Sequence, residues 1–371
     1  MKVSQRLSPP ILYLGFAATG VCVALPGAVL PALLRQWALN DIQAGFLFFL
    51  GWMGSSLGAL LVRGSRARSL ALGCVLIALA AATMAAASGW LCFAAMGLFG
   101  LGLGVAMTSI SLLRTSRNPA SRGLELNRLN LVWALGACLC PSLAAHTLRI
   151  ANVGGIFSTV ALFFVLLLVW VLAIERDSGP PPAAGSQWSF SLAAWPFALL
   201  VIIMLPGGVE SSIGGWIATY MQRAQGLLAT TVSAGSCFWG GLLLSRALSS
   251  TRLLERLSER TVLRRSIFTI AAGSLLMIAT TSALSILPGV FLIGFGLGPV
   301  YPLLLAQALR FSENPLLFSI AGLGSAFLPW LTGVVSSATS SLRMGLLVPL
   351  AAALLMLALG LKLTSAQASQ N

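Results

Sequence analysis

One acid falls deep inside an apolar run: Glu210, within Pro206-Gly207-Gly208-Val209-Glu210-Ser211-Ser212-Ile213-Gly214-Gly215-Trp216. The surrounding segment, about 195–220, is long enough to bring that carboxylate near the middle of a bilayer. A charge there costs roughly 2.5–3.5 kcal/mol on insertion scales unless it faces a partner or a wet cavity. Pro206 and the two glycine pairs weaken the helix, and a break would free backbone groups that only a protein-lined or wet cavity satisfies. The expectation is a broken helix carrying an acid at mid-membrane, the arrangement with which secondary transporters hold a polar solute or a coupling ion. Two roles are open to Glu210: hydrogen bonding to a solute hydroxyl, and binding of H⁺ or Na⁺.

Other side chains suit the same task. Asn130 and Trp133 stand three residues apart in an apolar run, which places both on one face of a helix. An amide that pairs with hydroxyls and a ring that stacks on C–H faces would suit a hexose, although interhelical hydrogen bonding and packing use the same residue types. Trp52, Trp216, Trp239 and Tyr301 also lie within apolar runs and are candidate solute contacts, with Trp52 and Trp239 near the midpoints of their segments. Glu125 and Arg128, three apart, fit an ion pair or a gate latch. Asp41 reads as a helix N-cap, and His146, the single histidine, as an interfacial structural residue. No metal-ligand spacing, Ser/His/Asp arrangement or paired carboxylate is present, so no catalytic residues, metal or cofactor are assigned and an enzyme reading finds no support.

The elements that must position these residues follow from composition. Of 371 residues 58% are hydrophobic and only 8% charged, against about a quarter charged in soluble domains. The chain therefore reads as an all-α polytopic membrane protein embedded in a lipid bilayer. A formal net charge of +14 raises nucleic acid as a partner. Position excludes it, because the arginines sit in short loops between apolar runs, where they set membrane orientation. Twelve runs of spanning length are expected near 11–34, 42–62, 69–88, 90–113, 124–146, 154–174, 193–221, 227–248, 264–282, 284–309, 315–337 and 343–363. With the N-terminus inside, eighteen Lys and Arg fall on the cytoplasmic side and four outside, Arg246 being counted in a cytoplasmic loop. Both termini are thus expected in the cytoplasm of a cell whose inner (plasma) membrane holds the chain. The loop 245–265 reads as a short amphipathic helix lying on anionic lipid. The six cysteines all fall in apolar runs and read as small core residues.

A polar, Pro- and Gly-rich stretch divides the chain into an N-terminal six-helix bundle (1–173), a cytoplasmic linker (174–192) and a C-terminal six-helix bundle with a short tail (193–371). The halves echo each other. Gly100-Leu101-Gly102-Leu103-Gly104 is matched by Gly294-Phe295-Gly296-Leu297-Gly298, and the run Gly136 to Pro141 by the run Gly324 to Pro329. These glycines are read as points of close helix approach, not as a phosphate loop, because no strand precedes them. Two parallel repeats of six spans are the architecture of the major facilitator fold.

The seventh span (Gly208 to Tyr220), the tenth (Gly294 to Pro302) and the fifth (Asn127 to Pro141) resemble the fucose, galactose and glucose permease branch of the major facilitator superfamily. The resemblance implies transport of a small polar solute, most simply a hexose such as glucose or galactose, by alternating access with H⁺ or Na⁺ symport. It also implies a monomer, as superfamily members generally are. Two departures stand out: neither the first nor the fourth span carries the acid that branch uses for proton coupling, and the loop Val62-Arg63-Gly64-Ser65-Arg66-Ala67-Arg68 lacks the superfamily's aspartate. Coupling, if carboxylate-based, then rests on Glu210. Drug/proton antiport and passive sugar uniport are the alternatives that the same residues leave open.

Overall fold

The computed structural model describes residues 9–86, 89–117, 122–174, 197–226, 228–249, 258–279, 281–309 and 316–368. With no water in hydrocarbon to satisfy the backbone, long apolar runs close their hydrogen bonds within helices. The first half forms α1 (Pro9–Gln36), α2 (Asp41–Leu60), α3 (Arg66–Ala86), α4 (Trp90–Arg117), α5 (Arg122–Ile150) and α6 (Val153–Ile174). The second forms α7 (Phe197–Gln225), α8 (Leu228–Ser249), α9 (Glu259–Ala279), α10 (Ala283–Leu309) and α11 (Leu316–Thr339). A four-residue α12 (Leu342–Gly345) and α13 (Leu347–Ala368) complete it. Leu346 between these two keeps helical angles (φ −70°, ψ −6°), so they make one bent segment. Among the described residues, twelve long helical segments therefore stand where twelve spans are expected. The 174–192 linker lies almost wholly outside the described residues.

Among the described residues ten segments are long and apolar enough to cross a membrane. The helices α8 and α11 carry Ser, Thr and Gly, and both pack against α7. A helix turned toward protein tolerates polar residues that lipid would not.

Two compact units result: residues 1–37 with 50–187, and residues 38–49 with 188–371. The glycines make the same helix seams in each. In the first unit Gly20 and Gly136 bring α1 against α5, Gly54 and Gly100 bring α2 against α4, and Gly73 and Gly102 bring α3 against α4. In the second unit Gly208 and Gly324 do this for α7 and α11, Gly241 and Gly294 for α8 and α10, and Gly273 and Gly296 for α9 and α10. At each seam the facing backbone occupies the space a β-carbon would need, so helix association rests on close van der Waals contact between backbones.

Two local expectations are corrected. The helix α7 is continuous through Pro206 and both glycine pairs. Gly208 receives α11, Gly214 receives the Trp239 ring and Gly215 the Phe48 ring, so these glycines admit neighbours instead of breaking the helix. The cap of α2 is Asn40, whose Oδ1 accepts the Gln43 N–H at 2.9 Å while Gln43 Oε1 accepts the Asn40 N–H at 3.0 Å. Asp41 is thereby freed for a long-range partner. Of the 245–265 stretch, the described residues extend α8 to Ser249 and open α9 at Glu259; residues 250–257 lie outside them.

The seams make a direct prediction. Gly324→Val places branched carbon inside the Met204 carbonyl and should cost at least about 1–3 kcal/mol through overpacking. Gly123→Ala, at a position with open space, should cost nothing. Apparent unfolding midpoints of the purified protein, with a clear drop for the first and none for the second, check this.

Candidate functional site

Glu210 lies midway along α7 and does not stand alone. Arg246, on α8, places Nη2 3.7 Å from Glu210 Oε2, with side chains 18% and 16% exposed. The separation exceeds ordinary hydrogen-bond length, so the two charges attract without being fused. At 4 Å and an effective dielectric near 20 that attraction is about 4 kcal/mol. Two unpaired charges would cost roughly 5–7 kcal/mol at the centre of a span. Pairing offsets more than half of this, and the residue of exposure on both side chains supplies solvation for the rest. The sequence reading assigned Arg246 to a loop. The structure corrects that: α8 runs three residues past it, and the arginine reaches back along its helix toward α7.

The helices around the pair are fixed by polar ties. Pro329 in α11 has no N–H, which leaves the Ser325 carbonyl without its helical partner. Ser211 Oγ donates to that same carbonyl at 2.9 Å. Trp216 Nε1 donates to the Pro329 carbonyl at 2.9 Å, and the Trp216 side chain is fully buried. The face of α7 carrying Ser211 is thereby held on α11, with Glu210 free to meet α8. Trp239, on α8, stacks edge-on against Phe238 with centroids 4.8 Å apart and packs on Gly214, one turn from Glu210. Tyr301, on α10, is half-buried and within electrostatic reach of the Glu210 carboxylate.

Of the residues singled out in the sequence, Glu210, Trp216, Trp239 and Tyr301 thus lie in the second unit. Trp216 is committed to packing and to α11. The remaining candidate solute contacts, Asn130, Trp133 and Trp52, lie in the first unit. Trp133 is buried, Trp52 half-buried, and Asn130 exposed one turn from Trp133, so the amide and the indole occupy different surroundings despite their spacing. His146 is exposed near the end of α5.

Glu125 and Arg128 belong to a larger cluster. Glu125 is buried; its Oε1 accepts from Arg128 Nη1 at 3.0 Å, while its Oε2 accepts from Tyr13 Oη at 2.8 Å and Arg114 Nε at 3.0 Å. The Arg114 guanidinium lies 5.0 Å from the Tyr13 ring centroid. Three helices, α1, α4 and α5, are therefore joined at one carboxylate. Tyr13, Arg114, Arg246 and Ser211 escaped the sequence reading. An arginine eighteen residues into the α8 run was the one available signal for Arg246.

The comparisons with known proteins agree with this architecture. A curated relative, an uncharacterised MFS-type transporter of Yersinia pestis, is 23% identical over 337 residues, covering 86% of this chain and 84% of that protein. Among solved structures, a point variant of the nucleoside transporter NupG superposes with a TM-score of 0.75 at 12% identity, covering 96% of this chain and 98% of its own. A bacterial homologue of the human lysosomal transporter Spinster, in an inward-facing and occupied conformation, gives 0.70 at 13% identity, with 96% of each chain covered. A D-xylose–proton symporter gives 0.68 at 15% identity, covering 94% of this chain and 96% of that one. At these identities the structures speak for the fold. The family model of the Major Facilitator Superfamily matches residues 12–315, and the chain belongs to that superfamily.

Proposed function

We propose that the chain is a proton-coupled symporter of a small hydroxyl-rich solute of the hexose class, with Glu210 as the group that binds the proton. Membership of the superfamily already makes it a multi-pass membrane transporter of small solutes and not an enzyme. The observation carrying the finer reading is the Glu210–Arg246 pair, 3.7 Å apart inside a membrane-spanning helix pair. A proton on Glu210 cancels its charge and releases the guanidinium, whereas an ionised Glu210 holds it; the pair therefore has two states that one proton separates. Arg246 favours H⁺ over Na⁺, because a metal cation beside a guanidinium meets repulsion and needs several oxygen ligands. Solute hydroxyls can donate to Glu210 and accept from Arg246, while Trp239 and Tyr301 supply aromatic surface nearby. The resemblance of three spans to the hexose permease branch supports this class, and a D-xylose–proton symporter shares the fold. The arginine asymmetry, which survives moving Arg246 into α8, supports cytoplasmic termini and a place in the inner membrane. We take the working unit to be a monomer whose bundles, near 1–173 and 193–371, open the site alternately.

Two outcomes are expected. In proteoliposomes under an imposed proton gradient, Glu210→Gln abolishes accumulation of labelled hexose while leaving exchange across the membrane; accumulation equal to the parent protein's would remove Glu210 from coupling. Gradient-driven expulsion of lipophilic cations, with no hexose uptake, would assign the chain to drug/proton antiport instead. On stability, removing one member of a buried pair costs about 3–5 kcal/mol. Arg246→Gln should therefore lower the apparent unfolding midpoint more than the double change E210Q/R246Q does. Midpoint losses that simply add would show that the two side chains do not interact.

A further inference from the structure

The spanning helices hold their acids in two different ways. Asp41 of α2 accepts both arms of the Arg223 guanidinium, at 2.8 and 2.6 Å, and a hydrogen bond from Ser336. Glu125 of α5 accepts from Arg114 Nε and Arg128 Nη1, each at 3.0 Å, and from Tyr13 Oη at 2.8 Å. Each of these carboxylates has guanidinium and hydroxyl donors at bonding distance, as suits a charge that stays in place. Glu210 differs. Arg246 Nη2 stands 3.7 Å from it, and among the described residues its carboxylate accepts no hydrogen bond. Both partners keep some exposure, so their hydrogen-bonding capacity can be met by a molecule arriving from water.

Charge decides which molecule. A proton on Glu210 adds one positive charge to a neutral pair, whatever else Arg246 touches. No other acid lies within the six spans expected between 193 and 363, so those helices bring no second carboxylate to restore the balance. A neutral hexose does not restore it either, whereas a sugar bearing one carboxylate does. We infer that the solute travelling with the proton is a sugar monoacid of the hexuronate kind, whose carboxylate takes the Arg246 guanidinium as protonated Glu210 releases it. This deepens the proton-coupled reading of the same site and rests on it. Carboxylate and guanidinium match as a two-bond fork. The neutral Glu210 carboxyl meanwhile gains an O–H that can donate to a ring hydroxyl. The loaded site then carries no net charge, as the empty ionised pair does, so a full cycle moves none across the membrane. A doubly charged phosphate ester would leave one negative charge uncompensated at mid-span.

Affinity for the anion should rise as pH falls, because the proton removes the carboxylate that competes for Arg246. Of the other helices packed against α7, α8 also brings Cys237, α10 brings Tyr301, α13 brings Lys362 and α11 brings no titratable side chain. Asp41 of α2 is held by Arg223.

The test uses the full chain in proteoliposomes, with labelled glucuronate and glucose as probes. Under an inward proton gradient glucuronate should accumulate, and an inside-negative potential should leave its initial rate unchanged. Proton–hexose symport carries net charge and would be accelerated. Unlabelled glucose should need at least about tenfold more than unlabelled glucuronate to halve that uptake, the worth of one charge-assisted contact. Arg246→Lys, which keeps the charge but loses the fork, should raise the KM for glucuronate. Glu210→Gln, a fixed mimic of the protonated acid, should bind glucuronate with a thermal shift independent of pH, while the parent's shift weakens as pH rises. Glucose accumulation with inward positive current and no preference for glucuronate overturns the sugar-acid assignment and leaves proton-coupled hexose transport standing. Accumulation of neither probe overturns both. Glucuronate uptake that the potential accelerates, a parent affinity indifferent to pH, or a parent-like KM in Arg246→Lys overturns the exchange of carboxylates at Arg246.

Discussion

A charge in hydrocarbon must find a partner, and much of this molecule is arranged around that constraint. Glu210 cannot be carried through a membrane as an isolated ion; Arg246 makes it tolerable. The pairing in turn dictates what the neighbours are. Both α8 and α11 pack beside α7, one supplying the arginine and the other a backbone carbonyl. The Ser325 carbonyl that Pro329 leaves without a helical donor in α11 accepts a hydroxyl from α7, so no second unsatisfied group is added near the first. The result is a polar seam within a single unit, surrounded by tightly fitted backbone contacts.

Those backbone contacts explain why so many glycines are present. In each unit the same three helix pairs approach through glycine, at positions separated by nearly the same number of residues along the chain. Lipid tails are as apolar as leucine, so apolar side chains alone give helices little reason to prefer each other. Steric fit does the selecting. The repeat also shows where the halves differ. By the Gly20–Gly208 correspondence, the place of Glu210 is taken in the first unit by the buried Cys22. Chemistry that the second unit acquired is absent from its counterpart.

The sequence made the fold legible because membrane architecture is written in local properties: run length, apolar content and glycine spacing each depend on nearby residues. The acid Glu210 was visible for the same reason, as a local violation. Its surroundings were not. Arg246 is 36 positions away, Asp41 and Arg223 are 182 apart, and Tyr13 and Glu125 are 112 apart, and nothing in a single sequence ties such pairs. Arg246 was misplaced because its position near the end of an apolar run looks the same as a loop. The reading of α7 as a broken helix failed for a related reason. Glycine pairs and a proline are compatible with both a break and close packing, and the choice depends on whether Phe48, Trp239 and α11 arrive to fill the space.

The charge carried by α8 has a consequence for biogenesis. A segment bearing Arg246 among serines, threonines and glycines partitions weakly into lipid when presented alone. Its predecessor α7 carries the complementary acid and ends only two residues before α8 begins. The two are best suited to leave the translocation machinery together as a hairpin, mutually neutralised before either meets the acyl chains. On this view the ion pair serves the nascent chain before it serves the finished carrier.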